Sequence, residues 1–160
     1  MPIPPTEARI LAILQDYWYR DSETLYPGML GVHVDVIGVD ASAITAAESC
    51  AYDLLLLNAG RETSAAAGWC RRLKERFAAP LLVLTPNDNE VEIIMLYGAG
   101  ADECIVRPAA ADVLWAKICA WLRWSPPFSG RADCTGETAL WPQTAVDAAT
   151  VQVLQVEPSP

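Results

Sequence analysis

Tyr52-Asp53-Leu54-Leu55-Leu56-Leu57-Asn58 is a nearly continuous apolar run that stops on an amide. Four leucines in succession leave no face for water, so the segment reads as a central strand of a parallel sheet covered on both sides. A polar turn from Asn58 to Ser64 leads into a helix from about Ala65 to Phe77. Pro80 to Thr85 repeats the buried-strand pattern. Pro86-Asn87-Asp88-Asn89 then supplies turn and N-cap chemistry for a helix through Tyr97, which Gly98 and Gly100 end. Asp102 to Arg107 is a further strand, and Ala110 to Trp124 the last helix, with Leu114, Ile118, Trp121 and Leu122 as its inward stripe.

Upstream, Arg9 to Leu14 is the first strand. Asp16 to Tyr26 reads as a short helix stopped by Pro27-Gly28, Val32 to Val39 as the second strand, and Ala41 to Cys50 as an alanine-rich helix. Five strands alternating with helices predict an α/β fold, a doubly wound five-stranded parallel sheet over residues 1–124. Ligands bind such sheets at the carboxyl ends of the strands, so the positions to read for function are Gln15, Asp16, Asn58, Thr85 and Arg107. Residues 125–136 read as a proline-, glycine- and serine-bearing linker. Residues 137–160 carry two alternating runs that suggest a small β-extension.

Of the 160 residues 52% are hydrophobic, and 11 basic against 20 acidic residues give a net charge of −9. A phosphate-binding surface needs clustered Lys and Arg, so direct nucleic-acid binding by this chain is not expected. No apolar run reaches the ~20 residues that span a bilayer, and MPIPPTEAR lacks the basic and apolar regions of a secretory signal. The five cysteines (Cys50, Cys70, Cys104, Cys119, Cys134) form no CxxC pair and accompany one histidine, His33, so neither a metal nor a cofactor is expected. A reducing cytoplasm suits them.

YDLLLLN, CRRLKERFAAPLLVLT and GAGADECIVRP, in this order, resemble the CheY-like receiver domain of bacterial two-component response regulators, over roughly Arg9 to Trp124. The resemblance implies a flavodoxin-like fold and a site that phosphorylates an aspartate at the end of the third strand. Two acids after the first strand hold magnesium with it, and a hydroxyl after the fourth strand and a lysine after the fifth contact the phosphoryl oxygens. Each part has its chemistry: a carboxylate nucleophile, carboxylates for a hard cation, and a cation opposite the developing charge. Asn58 stands where the phosphoacceptor should be, Gln15 replaces the first acid, and Arg107 replaces the lysine, though Pro108 and Thr85 are kept. Ala66 and Cys104 replace a usual glycine and a switch aromatic. Asp16 is then the one carboxylate of the expected three, which makes a poor magnesium site. Arg107 is charged at every accessible pH. The resemblance thus implies an atypical, degenerate receiver, with Asp16 expected to pair with Arg107 and Asn58 to bridge them.

Tyr17-Trp18-Tyr19 are candidates for capping the vacated site or stacking on a small ligand; the alternative is that Trp18 packs between helices. In regulators of the OmpR/PhoB type, a homodimer forms through the fourth helix, fifth strand and fifth helix, counting the expected helix at Asp16–Tyr26 as the first. Asp102 and Glu103 opposed to Lys117 match its acidic and basic positions, and Val113 and Trp124 share the Lys117 face of the last helix. Thr144 to Val153 is similar to the opening strands of a winged-helix effector domain of that type. The expected function is non-enzymatic: a phosphorylation-independent receiver-like signalling and dimerisation module of a transcription regulator, acting through protein contact or a ligand. The alternative is a stand-alone adaptor with no DNA-binding partner domain.

Overall fold

The computed structural model describes residues 8–15 and 32–124. The expected helix at Asp16–Tyr26, the linker and the β-extension lie outside them. The described elements run β1 (Ala8–Leu14), β2 (Val32–Gly38), α1 (Ala41–Ala47), β3 (Leu54–Asn58), α2 (Thr63–Arg76), β4 (Leu81–Thr85), α3 (Glu90–Gly98), β5 (Glu103–Val106) and α4 (Ala111–Trp124). The five strands form one parallel sheet in the order β2-β1-β3-β4-β5. This is the doubly wound α/β fold expected from the alternation of strands and helices, and the flavodoxin-like one that the resemblance implies.

Strand periodicity divides the apolar residues into two cores. Odd-numbered Leu11, Ile13, Leu55, Leu57, Leu81 and Val83 face α1, α2 and α3, meeting Ile44, Ala67, Cys70, Leu73 and Leu96. Even-numbered Ile10, Ala12, Leu54, Leu56, Leu82 and Leu84 face α4, meeting Leu114, Trp115, Ile118, Cys119 and Leu122. The inward stripe of the last helix therefore includes Trp115 and Cys119, while Trp121 lies at its margin, half-buried. Both faces of β3 are buried, which is why its sequence shows no alternation.

Helix starts follow local hydrogen-bond supply. Asp40 accepts from the Ser42 amide at 2.9 Å to open α1, and Asn89 accepts from the Val91 amide at 2.9 Å to open α3. The third strand begins at Leu54, two residues after Tyr52, because Tyr52 serves another purpose. Its hydroxyl donates to Asp35 Oδ2 at 2.8 Å, where the Arg9 guanidinium also donates at 2.9 Å. Gly100, at φ +115°, makes the turn out of α3, and a Cβ there would press on the Lys74 side chain.

The register sets the functional rim. Asn58 lies opposite Leu14 on one side and Leu84 on the other, and Thr85 opposite Val106. Gln15, Asn58, Thr85 and Arg107 consequently stand together at the carboxyl end of the sheet.

Candidate functional site

Asn58 and Thr85 are the two fully buried polar residues of this rim, each at 1% exposure. The Asn58 backbone carbonyl accepts from the Gln15 amide at 3.0 Å, but its side-chain Oδ1 and Nδ2 have no hydrogen-bond partner among the described residues. The other rim side chains reach past it to the loop that follows β3. Gln15 Oε1 accepts from the Gly60 amide at 3.2 Å, and Arg107 Nη2 donates to the Ala59 carbonyl at 2.7 Å. Arg107 is itself fixed by its own amide, which donates to the Thr85 carbonyl at 2.8 Å.

Thr85, also buried, accepts at its hydroxyl from the Asn87 amide at 3.2 Å. Asn87 Nδ2 then donates to the Arg61 carbonyl and to Thr63 Oγ1, each at 2.9 Å. Residues from three strand ends thus hold the backbone between Ala59 and Thr63. The sequence reading placed Asn87 in a turn and missed this role. A turn asparagine is ordinary by pattern, and only the fold brings it against the neighbouring loop.

Asn58 does not bridge to Arg107 as expected. An arginine is long enough to pass the strand end, and its guanidinium settles on the Ala59 carbonyl, an amide oxygen as good an acceptor as the Asn58 side chain. Asp16, Tyr17, Trp18 and Tyr19, and with them the expected Asp16–Arg107 pair, lie outside the described residues. Gln15, Asn58, Thr85 and Arg107 bring no carboxylate to the rim, and no group of three metal-ligating side chains occurs among the described residues.

Cys104 sits half-buried on β5. Burial, with Glu103 beside it, pushes its thiol up to about 11, and burial pushes Cys70 up to about 12. Both are neutral at ordinary pH and behave as small apolar side chains. His33 is exposed on the edge strand β2.

On the partner face the expected ion pairs close inside the chain. Lys117 Nζ donates to Glu103 Oε1 at 2.6 Å, and Trp121 Nε1 donates to Glu103 Oε2 at 3.4 Å. Asp102 is turned away from Lys117. Its Oδ2 accepts from the Leu81 amide at 2.7 Å and from Lys74 Nζ at 3.0 Å, because a carboxylate just before β5 lies against the first amide of β4. Apolar groups remain outside: Trp124 is 84% exposed and Val113 51%. Val91 and Ile94 on α3, absent from the sequence reading, are 69% and 68% exposed. The sequence signal for them was available: in EVEIIMLYG only Leu96 is fully committed to the core, leaving more apolar residues than one buried stripe uses.

No protein-family model matches the chain. It is 29% identical over 115 residues to the DNA-binding response regulator MtrA of Mycobacterium tuberculosis, covering 72% of this chain and 50% of MtrA. Among solved structures, a two-component response regulator from Clostridium difficile superposes with a TM-score of 0.61 at 24% identity, over 72% of this chain and 96% of the other. An atypical orphan response regulator, whose structure is described as revealing a phosphorylation-independent regulatory mechanism, matches with a TM-score of 0.59 at 24% identity, over 77% and 98%. The fold is that of response-regulator receivers, and the chain is similar in sequence to the receiver-bearing part of such regulators. It spans between 24% and 51% of the length of curated relatives that it matches.

Proposed function

We propose that this chain is a receiver-like signalling module of a transcription regulator of the OmpR/PhoB type that works in the cytoplasm without aspartyl phosphorylation. One observation carries the reading: the strand end where a receiver presents its phosphoacceptor carries Asn58, a buried amide. An amide is not a useful nucleophile towards phosphorus and brings no charge to a cation site. The side chains that would engage a phosphoryl group already bond to nearby backbone: Arg107 donates to the Ala59 carbonyl, and the Thr85 hydroxyl accepts from the Asn87 amide. The arrangement is held by the protein itself, so no bound phosphate is needed to assemble it.

On this reading the chain is not an enzyme. Its output is contact with another protein, in the first place a second copy, through the side of the molecule formed by α3, β5 and α4. The exposed Val91, Ile94, Val113 and Trp124 support that choice. Incubation with acetyl phosphate and magnesium, read by intact mass, tests the central claim. The expected result is no stable phosphoryl adduct; stoichiometric incorporation of one phosphoryl group would overturn it.

A further inference from the structure

Four of the eleven basic residues fall in one stretch of α2, Arg71 to Arg76, in a chain whose net charge is −9. The structure sorts them into two pairs. Lys74 Nζ lies 3.0 Å from Asp102 Oδ2, and Arg76 Nη1 lies 2.8 Å from Glu48 Oε1, so neighbouring elements of the fold neutralise both. Arg71 and Arg72 are exposed and make no ion pair among the described residues, although Glu75 stands one turn further along the helix.

Arg72 is also held in place. Its guanidinium carbon is 5.0 Å from the centroid of the Trp69 ring, which is half-buried against the core shared with α1 and α3. Such stacking steadies the planar fork while its N–H edges stay in solvent, so little side-chain freedom is left to lose on binding. One turn before the two arginines is Gly68, where an added Cβ would meet nothing within 4 Å. Ser64, a turn earlier on the same face, is exposed. The helix surface leading to the arginines is therefore low and open.

We infer that the outer face of α2 docks an acidic segment of another protein, with Arg71 and Arg72 each taking a carboxylate and Trp69 backing Arg72. Charge complementarity selects this partner. Two adjacent guanidiniums without internal partners are a local attraction in an acidic molecule, and each can meet a carboxylate in bidentate fashion. They make too short a track for a nucleic acid, whose attachment needs several phosphates neutralised at once, and the net charge of −9 opposes a long polyanion. Arginine and tryptophan are also among the residue types that carry most of the energy at protein contacts. The residues of this face are not those of the α3, β5 and α4 side, so the inference goes beyond the proposed function and does not rest on it.

Fluorescence anisotropy on the full chain, with a labelled peptide of alternating glutamate and serine, tests the site. The peptide should bind at low salt and be released as salt is raised. The R71E/R72E variant should lose about tenfold or more in affinity. Arg72→Lys keeps the charge but gives up the fork stacked on Trp69, and should cost about threefold, whereas Arg71→Lys should cost less. Arg123→Gln removes an exposed positive charge from α4 instead and should stay within about twofold of the parent. All these side chains are exposed, so thermal midpoints should match the parent's. No salt-dependent binding, equal binding of the matching glutamine peptide, or an Arg123→Gln loss as large as that of R71E/R72E would overturn the site. A single-stranded DNA of equal charge that binds more tightly, and is lost in the same variants, would overturn the acidic-protein assignment. Self-association that changes in R71E/R72E, read by sedimentation velocity, would give the face to a second copy and overturn it likewise.

Discussion

Arg107 Nη2 donates to the Ala59 carbonyl at 2.7 Å, joining the end of β5 to the loop beyond β3 across the strand between them. A lysine in this place offers a mobile point charge, whereas a guanidinium offers a planar fork that can settle on backbone. Arg107→Met should cost about 1.5–3 kcal/mol, the scale of a hydrogen bond to a charged group. Hydrogen exchange should speed up at the Ala59 and Gly60 amides while the amides at the centre of β3 stay protected.

Asn58 bears on the same rim from the opposite direction. Its buried amide has no partner among the described residues, and a buried polar group without one costs about 1–3 kcal/mol. Asn58→Leu, similar in size and apolar, should therefore raise the urea midpoint rather than lower it. Asn58→Asp should lower it at neutral pH, because the carboxylate would be ionised in a buried place. That single change should not create a phosphorylatable receiver, since Gln15 still withholds the third carboxylate of the expected set. Urea unfolding and intact mass after acetyl phosphate check the two statements.

Asp102 separates folding from association. It accepts from Lys74 and from the Leu81 amide, tying β5 to α2 and to the start of β4. Asp102→Asn should destabilise the domain by about 1–3 kcal/mol through the lost charge-assisted bonds. Measured under folding conditions, its self-association should match that of the parent chain.

The thiols set a pH dependence at the alkaline end. Cys70 is raised to about 12 and Cys104 to about 11 from an ordinary value of 9.0. A raised value means that the folded state holds its proton more tightly than the unfolded state. That contribution is fully present below pH 9 and is lost as pH rises through 9 towards 11 and 12. Tyr52, raised by burial and by Asp35, acts in the same direction. Urea midpoints should be insensitive to these groups near neutrality and fall above pH 9, and Cys70→Ala should flatten the fall.

Much of the architecture was legible before any coordinates. Leu54 to Leu57 and Leu81 to Leu84 announce buried parallel strands because strands covered on both faces cannot alternate. Gln15, Asn58, Thr85 and Arg107 could be named as rim residues because parallel topology brings strand ends together. Their hydrogen bonds could not be named, since the acceptors are backbone atoms of Ala59, Gly60 and Arg61, and backbone carbonyls leave no mark in a sequence. Asn87 was unreadable for the same reason.

By itself, then, the amino-acid sequence determined the order of elements, the α/β class and the presence of amides rather than carboxylates at Gln15 and Asn58, because hydrophobic period and residue chemistry are local properties. The tertiary structure alone decided that Arg107 serves Ala59 rather than Asn58, that Asp102 serves Lys74 rather than Lys117, and that Val91 and Ile94 stay outside. Each of these is a choice among several chemically adequate partners. Only the distances between chain segments far apart in sequence can make it.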